Sequence, residues 1–323
     1  MQTRILSASP ASIRLSAKLI RAGSLVAFPT ETVYGLGANA FDPVAVRKIF
    51  LAKNRPHHYP LIVHVSSSKM LRKVVRDISP LAQKLIKKFW PGPLTLVLPK
   101  NKHISHLVTA GQDTVAVRMP AHNVALQLIA LAGVPIAAPS ANTFGRPSPT
   151  TAAHVFVDLK KRIPLILDDG CARIGVESTI LSLVSKPAIL RPGGITFEQL
   201  KKYIPALQQN TKTTIRASGM LAKHYRPKTP LFLFTGSKKK KNIQKVLLHK
   251  NAKVMCLTGN AKYYGKKAFP LGKTTVLAAK NLYAVMRQLD TEKLDMILAE
   301  DVPEKGIGVA IMNRLRKAAT RTY

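Results

Sequence analysis

Apolar and polar positions along the first two hundred residues follow a rhythm typical of strands alternating with helices. The run Leu25–Phe28 is short and apolar, which predicts a buried strand that Pro29 ends. A helix is predicted next, because Asp42 is a favourable N-cap, Pro43 suits the first helical position and apolar residues continue to Leu51. The rhythm continues with predicted helices at 13–20, 80–89, 123–132 and 196–203, and predicted strands at 61–65, 94–98, 114–119, 135–138, 165–167 and 178–183. Short strands mixed with helices predict an α/β domain with a twisted, open, mixed sheet.

A second strand–helix rhythm begins after a polar break. Residues 206–230 lack apolar periodicity and contain Gly219, Pro227 and Pro230, which predicts a linker. Beyond it, the pattern predicts strands at 231–234, 253–257 and 296–298 and helices at 243–248, 278–289 and 309–319. This alternation predicts a smaller, doubly wound Rossmann-like domain. The expected organisation is a first domain at 1–205, a linker at 206–230 and a second domain at 231–323.

The charge balance changes this picture more than any other compositional feature. The 323 residues suffice for two domains, and they carry 51 basic and 15 acidic side chains, a formal net charge of +36. Such a field attracts polyanions and speeds encounters with nucleotides, but it does not determine the fold. Two interpretations stay open, a generally basic solvated surface and direct contact with RNA.

Cysteine and histidine positions make a structural metal site an unfavourable interpretation. Cys171 and Cys256 match no metal or redox spacing, so we expect free thiols in a reducing compartment and a cytoplasmic location. His57, His58 and His64 lack carboxylate or cysteine partners at the spacing of metal ligands, so no protein-bound metal is expected. No apolar run approaches the roughly 18 residues that a membrane span requires, and no membrane partner is expected.

Polar residues that follow the predicted strands and helices have the chemistry of an anion site. Pro56 biases Arg55 away from helical geometry, which places Lys53 and Arg55 on a constrained loop just past the first-domain helix. Similar positions are occupied by Arg118, Arg191, Ser140, Asn142, Ser178 and Thr179. Guanidinium, amide and hydroxyl groups with few carboxylates favour a nucleotide or phosphate site, while leaving the reaction open. The chain has no phosphate-binding Walker motif, no complete dinucleotide fingerprint and no nucleophile elbow around Ser140.

Several motifs, taken together, resemble one family. In the first domain they are Phe28–Gly37 (FPTETVYGLG), Lys53–Pro56 with Pro60 and Leu61, Pro139–Asn142, Gly175–Ile180 and Leu190–Gly193. Their order and spacing are similar to the YrdC-like domain of threonylcarbamoyl-AMP synthases. The stretch His224–Pro227 and the stretch 306–315 resemble the linker and the C-terminal domain of the long, two-domain form.

The resemblance implies a nucleotidyltransferase reaction. L-Threonine, bicarbonate and ATP, the last with Mg²⁺, would give L-threonylcarbamoyladenylate and diphosphate. The adenylate is the donor for the tRNA nucleoside N6-threonylcarbamoyladenosine, so a downstream tRNA threonylcarbamoyl-transferase complex is the implied partner, with direct tRNA or RNA contact as a further possibility. The implied fold is an open α/β sheet with a concave basic face, followed by a Rossmann-like domain.

The resemblance also implies roles for individual residues. Threonine contacts are implied for Thr32, His64, Arg118, Ala138 and Ser178. ATP or adenylate contacts are implied for Lys53, Arg55, Tyr59, Thr114, Ser140, Asn142, Ser148, Arg191 and Tyr225. Lys53 and Arg55 are the expected catalytic residues, and Tyr225 is expected to fold back from the linker over the nucleotide. Glu31 and Glu177 are the acidic residues of these motifs, and each is open to interpretation as a structural hydrogen-bond acceptor.

Two other classes of protein share the YrdC-like module. An RNA-binding or ribosome-assembly protein would use the concave basic face, and its signature would be steeply salt-dependent RNA affinity without turnover. Carbamoyl transfer to another acceptor, as in hydrogenase maturation, would bring zinc-finger cysteines and an acylphosphatase-like part. This chain has neither of those additions.

Overall fold

The computed structural model of the protein describes residues 2–208 and 215–323, which fold into two compact units. Of the described residues, the first unit takes those up to Phe144, Pro149–Arg173 and Glu177–Met220. The second unit takes Gly145–Ser148, Ile174–Val176 and Leu221–Tyr323. The boundaries expected from the sequence stay a prediction, and residues 209–214 of the predicted linker lie outside the described residues.

The first unit is an α/β structure. Its strands are β1 (Arg4–Ser7), β2 (Val26–Phe28), β3 (Gly35–Asn39), β4 (Ile62–His64), β5 (Leu94–Pro99), β6 (Thr114–Arg118), β7 (Ile136–Ala137), β8 (Leu165–Asp168), β9 (Thr179–Ser182) and β10 (Ala188–Arg191). Its helices are α1 (Pro10–Arg21), α2 (Pro43–Lys53), α3 (Ser68–Val74), α4 (Pro80–Phe89), α5 (His106–Thr109), α6 (Asn123–Ala132), α7 (Ala152–Leu159) and α8 (Phe197–Lys201).

The strands of the first unit form one mixed sheet, in the order β1-β8-β2-β3-β7-β4-β6-β5-β9-β10. The sheet combines parallel pairs such as β4 with β6 and antiparallel pairs such as β2 with β3 and β5 with β6. Because β4 and β6 run parallel, their last residues, His64 and Arg118, are register partners. The predicted mixed α/β sheet is confirmed, and its pairing brings the ends of distant motifs side by side.

Helix α2 illustrates how local sequence sets the positions of site residues. The Asp42 side chain accepts hydrogen bonds from Val44 N and Ala45 N, as a favourable N-cap does. The helix ends at Asn54, which adopts the left-handed conformation with φ of 52°. The prediction that Lys53 lies past the helix is wrong, because this asparagine cap lets α2 continue through Lys53.

The second unit is a smaller parallel α/β structure. Its strands are β11 (Leu231–Phe234), β12 (Ala252–Cys256), β13 (Ala268–Pro270), β14 (Met296–Glu300) and β15 (Arg321–Thr322), and its α-helices are α9 (Lys239–His249), α10 (Thr275–Leu289) and α11 (Gly308–Ala318). The sheet order is β13-β12-β14-β11-β15, and every neighbouring pair is parallel. The predicted doubly wound second unit is therefore confirmed. Among the described residues of the whole chain, no helix combines the length and apolarity needed to cross a membrane.

Candidate active site

A buried ion pair lies where β6 ends and the loop after β2 begins. Arg118 Nη2 donates to Glu31 Oε2 at 2.8 Å, and Arg118 Nη1 donates to Thr32 Oγ1 at 3.0 Å. The side chains of Arg118 and Glu31 are 4% and 2% exposed, so the pair is withdrawn from water. His64 is also buried and ends the neighbouring strand β4. We call Glu31, Thr32, His64 and Arg118 the arginine–glutamate cluster.

The loop that carries Glu31 and Thr32 is held by its own hydroxyl groups. Thr30 Oγ1 donates to Val33 O at 2.6 Å and lies 2.9 Å from Thr32 Oγ1. Tyr34 N donates to Pro149 O at 2.9 Å, which fixes the end of the loop. These hydrogen bonds hold the Glu31 and Thr32 side chains near the end of β6, although neither residue lies in a helix or a strand.

Burial dominates the electrostatics of this cluster. It lowers the pKa of the Arg118 guanidinium, an effect that the charge of Glu31 opposes. Burial, and then the positive charge of Arg118, lowers the pKa of His64 to about 3, so the imidazole is neutral near pH 7. Three buried atoms of the cluster have no hydrogen-bond partner among the described residues, namely Glu31 Oε1, His64 Nδ1 and Arg118 Nε.

The lowered pKa of His64 predicts a pH-dependent stability. The unfolded imidazole binds a proton below about pH 6.5, whereas the folded one does so only near pH 3. Between those values the unfolded state binds more protons, so the free energy of unfolding falls as the pH falls, by up to about 1.4 kcal/mol per pH unit. Urea unfolding of the wild type and of His64→Phe at pH 7.5 and pH 5 measures this loss. Parallel pH dependence in the two proteins would contradict the assignment.

Ser178 and Arg191 form a second buried group next to the ion pair. Arg191 Nη2 donates to Ser178 O at 2.9 Å and lies 3.1 Å from Ser178 Oγ, while Ser178 Oγ lies 2.7 Å from Thr95 Oγ1. The charge of Arg191 also lowers the pKa of Arg118, so the two guanidinium groups sense each other. Two buried cations that repel in this way favour an anion between or beside them.

Lys53, Ser140 and Asn142 meet at the carboxyl end of α2. Lys53 is 2% exposed, and its Nζ donates to Ser140 O at 2.5 Å and to Asn142 O. Ser140 in turn forms an isolated bridge with Gly35. The lysine therefore fixes the loop that follows β7 to the end of α2, with its ammonium group held by backbone carbonyls, and the bridge joins the same loop to the first motif.

Arg55 lies on the loop after α2 and is packed by aromatic rings. Its Nη2 donates to Pro60 O at 3.0 Å, and its Cζ lies 5.8 Å from the Tyr59 ring centroid and 5.5 Å from that of Phe144. The Tyr59 and Phe144 rings are themselves 5.5 Å apart. A guanidinium packed by aromatic rings in this way has its orientation fixed before any ligand binds.

The structure thus collects most, though not all, of the residues expected at the site. Ala138 follows β7 and donates its N–H to Ile62 O at 2.8 Å, beside β4. Thr114 begins β6 whereas Arg118 ends it, a separation of about 13 Å along the strand. Ser148 and Tyr225 belong to the second unit, where each is buried.

Tyr225 has defined surroundings inside the second unit. Its ring centroid lies 5.7 Å from that of Tyr283 and 5.2 Å from Arg314 Cζ, and its φ is 62°. Positive φ is strained for a tyrosine, and such strain is found preferentially at functional sites. The nucleotide-binding role expected for Tyr225 stays a prediction, as do the roles of the other site residues.

Two residues of this region were missed by sequence reasoning. Phe144 packs on Arg55 and Tyr59, and Thr95 contacts Ser178 through their hydroxyl groups. Phe144 lies in a loop without periodicity, although its position two residues after Asn142 was a usable signal. Thr95 is one polar residue within an apolar strand, and only the parallel pairing of β5 with β9 identifies its partner.

Two units of this kind define a class of protein. The class is a two-unit α/β protein of YrdC-like fold, in which a mixed sheet with buried cations, hydroxyls and amides on the loops at its strand ends is followed by a parallel five-stranded unit. In the part of the chain described by the structure, no group of three His, Cys, Asp or Glu side chains is arranged to hold a metal ion.

Comparison with known proteins narrows the class to a family. The Sua5–YciO–YrdC family model, described as telomere recombination, matches residues 18–193, and the model described as the threonylcarbamoyl-AMP synthase C-terminal domain matches residues 195–320. Threonylcarbamoyl-AMP synthase of Pyrococcus abyssi is 47% identical over 95% of this chain and 94% of its own length. That of Bacillus subtilis is 45% identical over 97% and 94%. The chain belongs to the threonylcarbamoyl-AMP synthase family.

Solved structures agree with this membership. The crystal structure of P. abyssi Sua5 complexed with L-threonine superposes with a TM-score of 0.91 at 42% identity and covers all of both chains. Escherichia coli YciO matches 59% of this chain with a TM-score of 0.52 at 20% identity, which supports the fold of the first unit alone.

Proposed function

We propose that this protein is an L-threonylcarbamoyladenylate synthase, which converts L-threonine, bicarbonate and ATP into the adenylate and diphosphate. The observation that carries the proposal is the full-length likeness to a Sua5 structure with L-threonine bound, at a TM-score of 0.91. The family membership of both sequence regions supports the same reaction. The enzyme class is a nucleotidyltransferase.

The arginine–glutamate cluster is the proposed threonine site. Arg118 uses two of its five N–H groups on Thr32 and Glu31, so its remaining donors can hold the carboxylate of the amino acid. Thr32, His64 and Ser178 are proposed to add hydroxyl and imidazole contacts to the threonine, and the backbone at Ala138 is proposed to add a further polar contact. All of these residues belong to the first unit.

The cations on the loops are the proposed site for ATP and the adenylate. Lys53, Arg55 and Arg191 are buried, and the neighbouring loop carries Ser140 and Asn142. Roles for Tyr59, Thr114, Ser148 and Tyr225 at the nucleotide rest on the sequence resemblance. Mg²⁺ is proposed to enter with the triphosphate of ATP, because phosphate oxygens and water are the ligands it prefers.

The chemistry requires charge stabilisation more than proton transfer at phosphorus. Threonine's amine first becomes a carbamate, whose oxygen forms a bond to the α-phosphorus while the bond to diphosphate breaks. Negative charge grows on the phosphoryl oxygens and on the leaving group. Fixed cations such as Lys53 and Arg55 stabilise that charge without reorganising during the reaction.

Further partners are part of the same proposal. The adenylate would be consumed by a tRNA threonylcarbamoyl-transferase complex in the cytoplasm. Direct RNA contact is supported by the net charge of +36.

Diphosphate release is the test of the proposed reaction. Purified protein, MgATP and bicarbonate would be incubated with and without L-threonine, and the nucleotide product would be identified by mass. We expect threonine-dependent diphosphate and an adenylate carrying a threonylcarbamoyl group. If ATP stays intact in every mixture, the synthase proposal fails and salt-dependent RNA binding becomes the function to test.

Tyr225→Ala tests the nucleotide-binding role of the tyrosine. We expect weaker retention of the adenylate and more of its hydrolysis product, because the proposed ring contact with the nucleotide is lost. The measurement is the ratio of intact adenylate to diphosphate over time. Tyr263→Ala, at an exposed tyrosine of the second unit, is the control. A ratio equal to that of the wild type would assign Tyr225 to folding alone.

A further inference from the structure

The arginine–glutamate cluster contains more hydrogen-bonding capacity than the protein itself uses. Glu31 Oε2 accepts from Arg118, while Glu31 Oε1 is buried without a partner among the described residues. Arg118 Nε and His64 Nδ1 are unpartnered in the same way, and His64 and Arg118 are register neighbours on β4 and β6. The cluster therefore contains an anionic acceptor, Glu31 Oε1, and a cationic donor, Arg118 Nε, that both lack partners among the described residues. These two groups complement the ammonium and the carboxylate of a zwitterion.

We propose that Glu31 binds the ammonium group of the amino-acid substrate and accepts the proton that this group must lose before it can react. This inference rests on the proposed function and deepens it. The role of Glu31 is distinct from that of a structural acceptor, because only one of its two carboxylate oxygens is needed to hold Arg118.

The proton transfer follows from the chemistry of carbamate formation. An ammonium nitrogen has no lone pair, so Glu31 Oε1 first takes one of its protons and leaves the neutral amine and a carboxylic acid. The amine then forms its C–N bond to the carbon of bicarbonate. Hydroxide leaves from that carbon and takes a second proton from nitrogen to give water and the carbamate. The proton on Glu31 returns to solvent, so the sum is ammonium plus bicarbonate to carbamate, water and one proton.

The groups around Glu31 leave it as the best-placed base. Arg118 and Arg191 are cations and cannot accept a proton, and burial lowers the pKa of His122 at the start of α6, which makes that imidazole a weaker base. His64 is neutral near pH 7 but accepts a proton poorly, because its pKa is about 3. Glu31 carries the one carboxylate among the four residues of the cluster, so within the cluster it is the group that can pair by charge with an ammonium.

The first test separates recognition of the ammonium from general binding. Dissociation constants of L-threonine and of 2,3-dihydroxybutanoate with threonine's stereochemistry, which carries a hydroxyl in place of the ammonium, would be measured for the wild type and Glu31→Gln. We expect at least a tenfold preference of the wild type for threonine and near-equal affinities in the variant. An unchanged preference in Glu31→Gln would overturn the assignment.

The second test uses the pH dependence of turnover. Loss of a general base typically costs about 10² to 10⁴ in rate, so Glu31→Gln should be slower by that much at pH 7. Its activity relative to the wild type should then rise by up to about tenfold per pH unit as free amine becomes available from solution. An equal deficit at every pH would mean that Glu31 only positions Arg118, and the proposal would fail.

Two further variants serve as a control for Glu31→Gln and as its replacement. Glu300→Gln removes a glutamate of the second unit that is 1% exposed and accepts hydrogen bonds from Tyr264 and Asn260, so it controls for loss of a buried carboxylate. If Glu31→Gln does not fold, Glu31→Asp replaces it, and we expect this shorter carboxylate to retain the preference for threonine. Loss of that preference in a folded Glu31→Asp would overturn the proposal. A wild type that forms no adenylate would instead refute the proposed function itself.

Discussion

Replacing Arg55 by alanine should slow adenylate formation by about 10² to 10³ without unfolding the protein, as expected when one preorganised donor to a developing anion is removed. Arg55 is 6% exposed, and its guanidinium is packed by the Tyr59 and Phe144 rings. Its position is therefore set before ATP arrives, and its loss cannot be repaired by a mobile side chain. The measurement is threonine-dependent diphosphate release at saturating MgATP, with the unfolding transition recorded in parallel.

Arg162→Ala is a matched control for the loss of one arginine. Arg162 donates to Ala52 O at 3.3 Å, so it contacts the end of the same helix α2, but it is exposed. We expect its removal to leave turnover within about twofold, the scale of most changes at exposed positions. Arg55→Lys adds a second comparison, because a lysine keeps the charge but not the planar fork. A deficit under threefold in Arg55→Ala with an intact fold would remove Arg55 from the mechanism.

Helices and strands were predictable where their cap residues and apolar periodicity lie within one short stretch of the chain. Helix α4 begins at Pro80 and ends at Phe89 as predicted, because Ser79 caps it and its apolar positions recur with helical spacing. Strand β1 and strand β10 were not predicted, since β1 is an edge strand with an irregular polar pattern and β10 follows a loop of lysine and serine. Pairing between distant segments stabilises such strands, and local periodicity does not encode that pairing.

The candidate site shows the same difference between residues with local sequence signals and contacts between distant segments. Lys53 and Arg55 were identified because proline and helix-end signals lie next to them in sequence. The contact of Arg118 with Glu31 joins residues 87 positions apart, and it follows from the order of β3, β7, β4 and β6 in the sheet. Residue types alone indicated an anion site, whereas the paired carboxylate and its unpartnered oxygen become evident only in the folded chain.

The Arg118–Glu31 pair predicts a large effect on stability. Removing one partner of a buried ion pair leaves an uncompensated charge and typically costs about 3–5 kcal/mol. Arg118→Met keeps much of the side-chain volume but leaves the Glu31 carboxylate buried without its cation. A carboxylate buried without its cation is costly only while it is charged, so the single variant should lose further stability as the pH rises.

The double variant Glu31→Leu with Arg118→Met separates this charge effect from lost packing. Replacing both members of a buried pair by apolar residues is often neutral or stabilising, so the double variant should recover more than half of the free energy of unfolding lost in the single one. The difference between the two should grow with pH, because only the single variant retains the carboxylate. Both retain His64, whose own titration cancels in the comparison. Equal stability of the single and double variants in urea at pH 5 and pH 8 would contradict this prediction. Arg118 would then contribute through packing and its bond to Thr32, and the ion pair would not stabilise the end of β6.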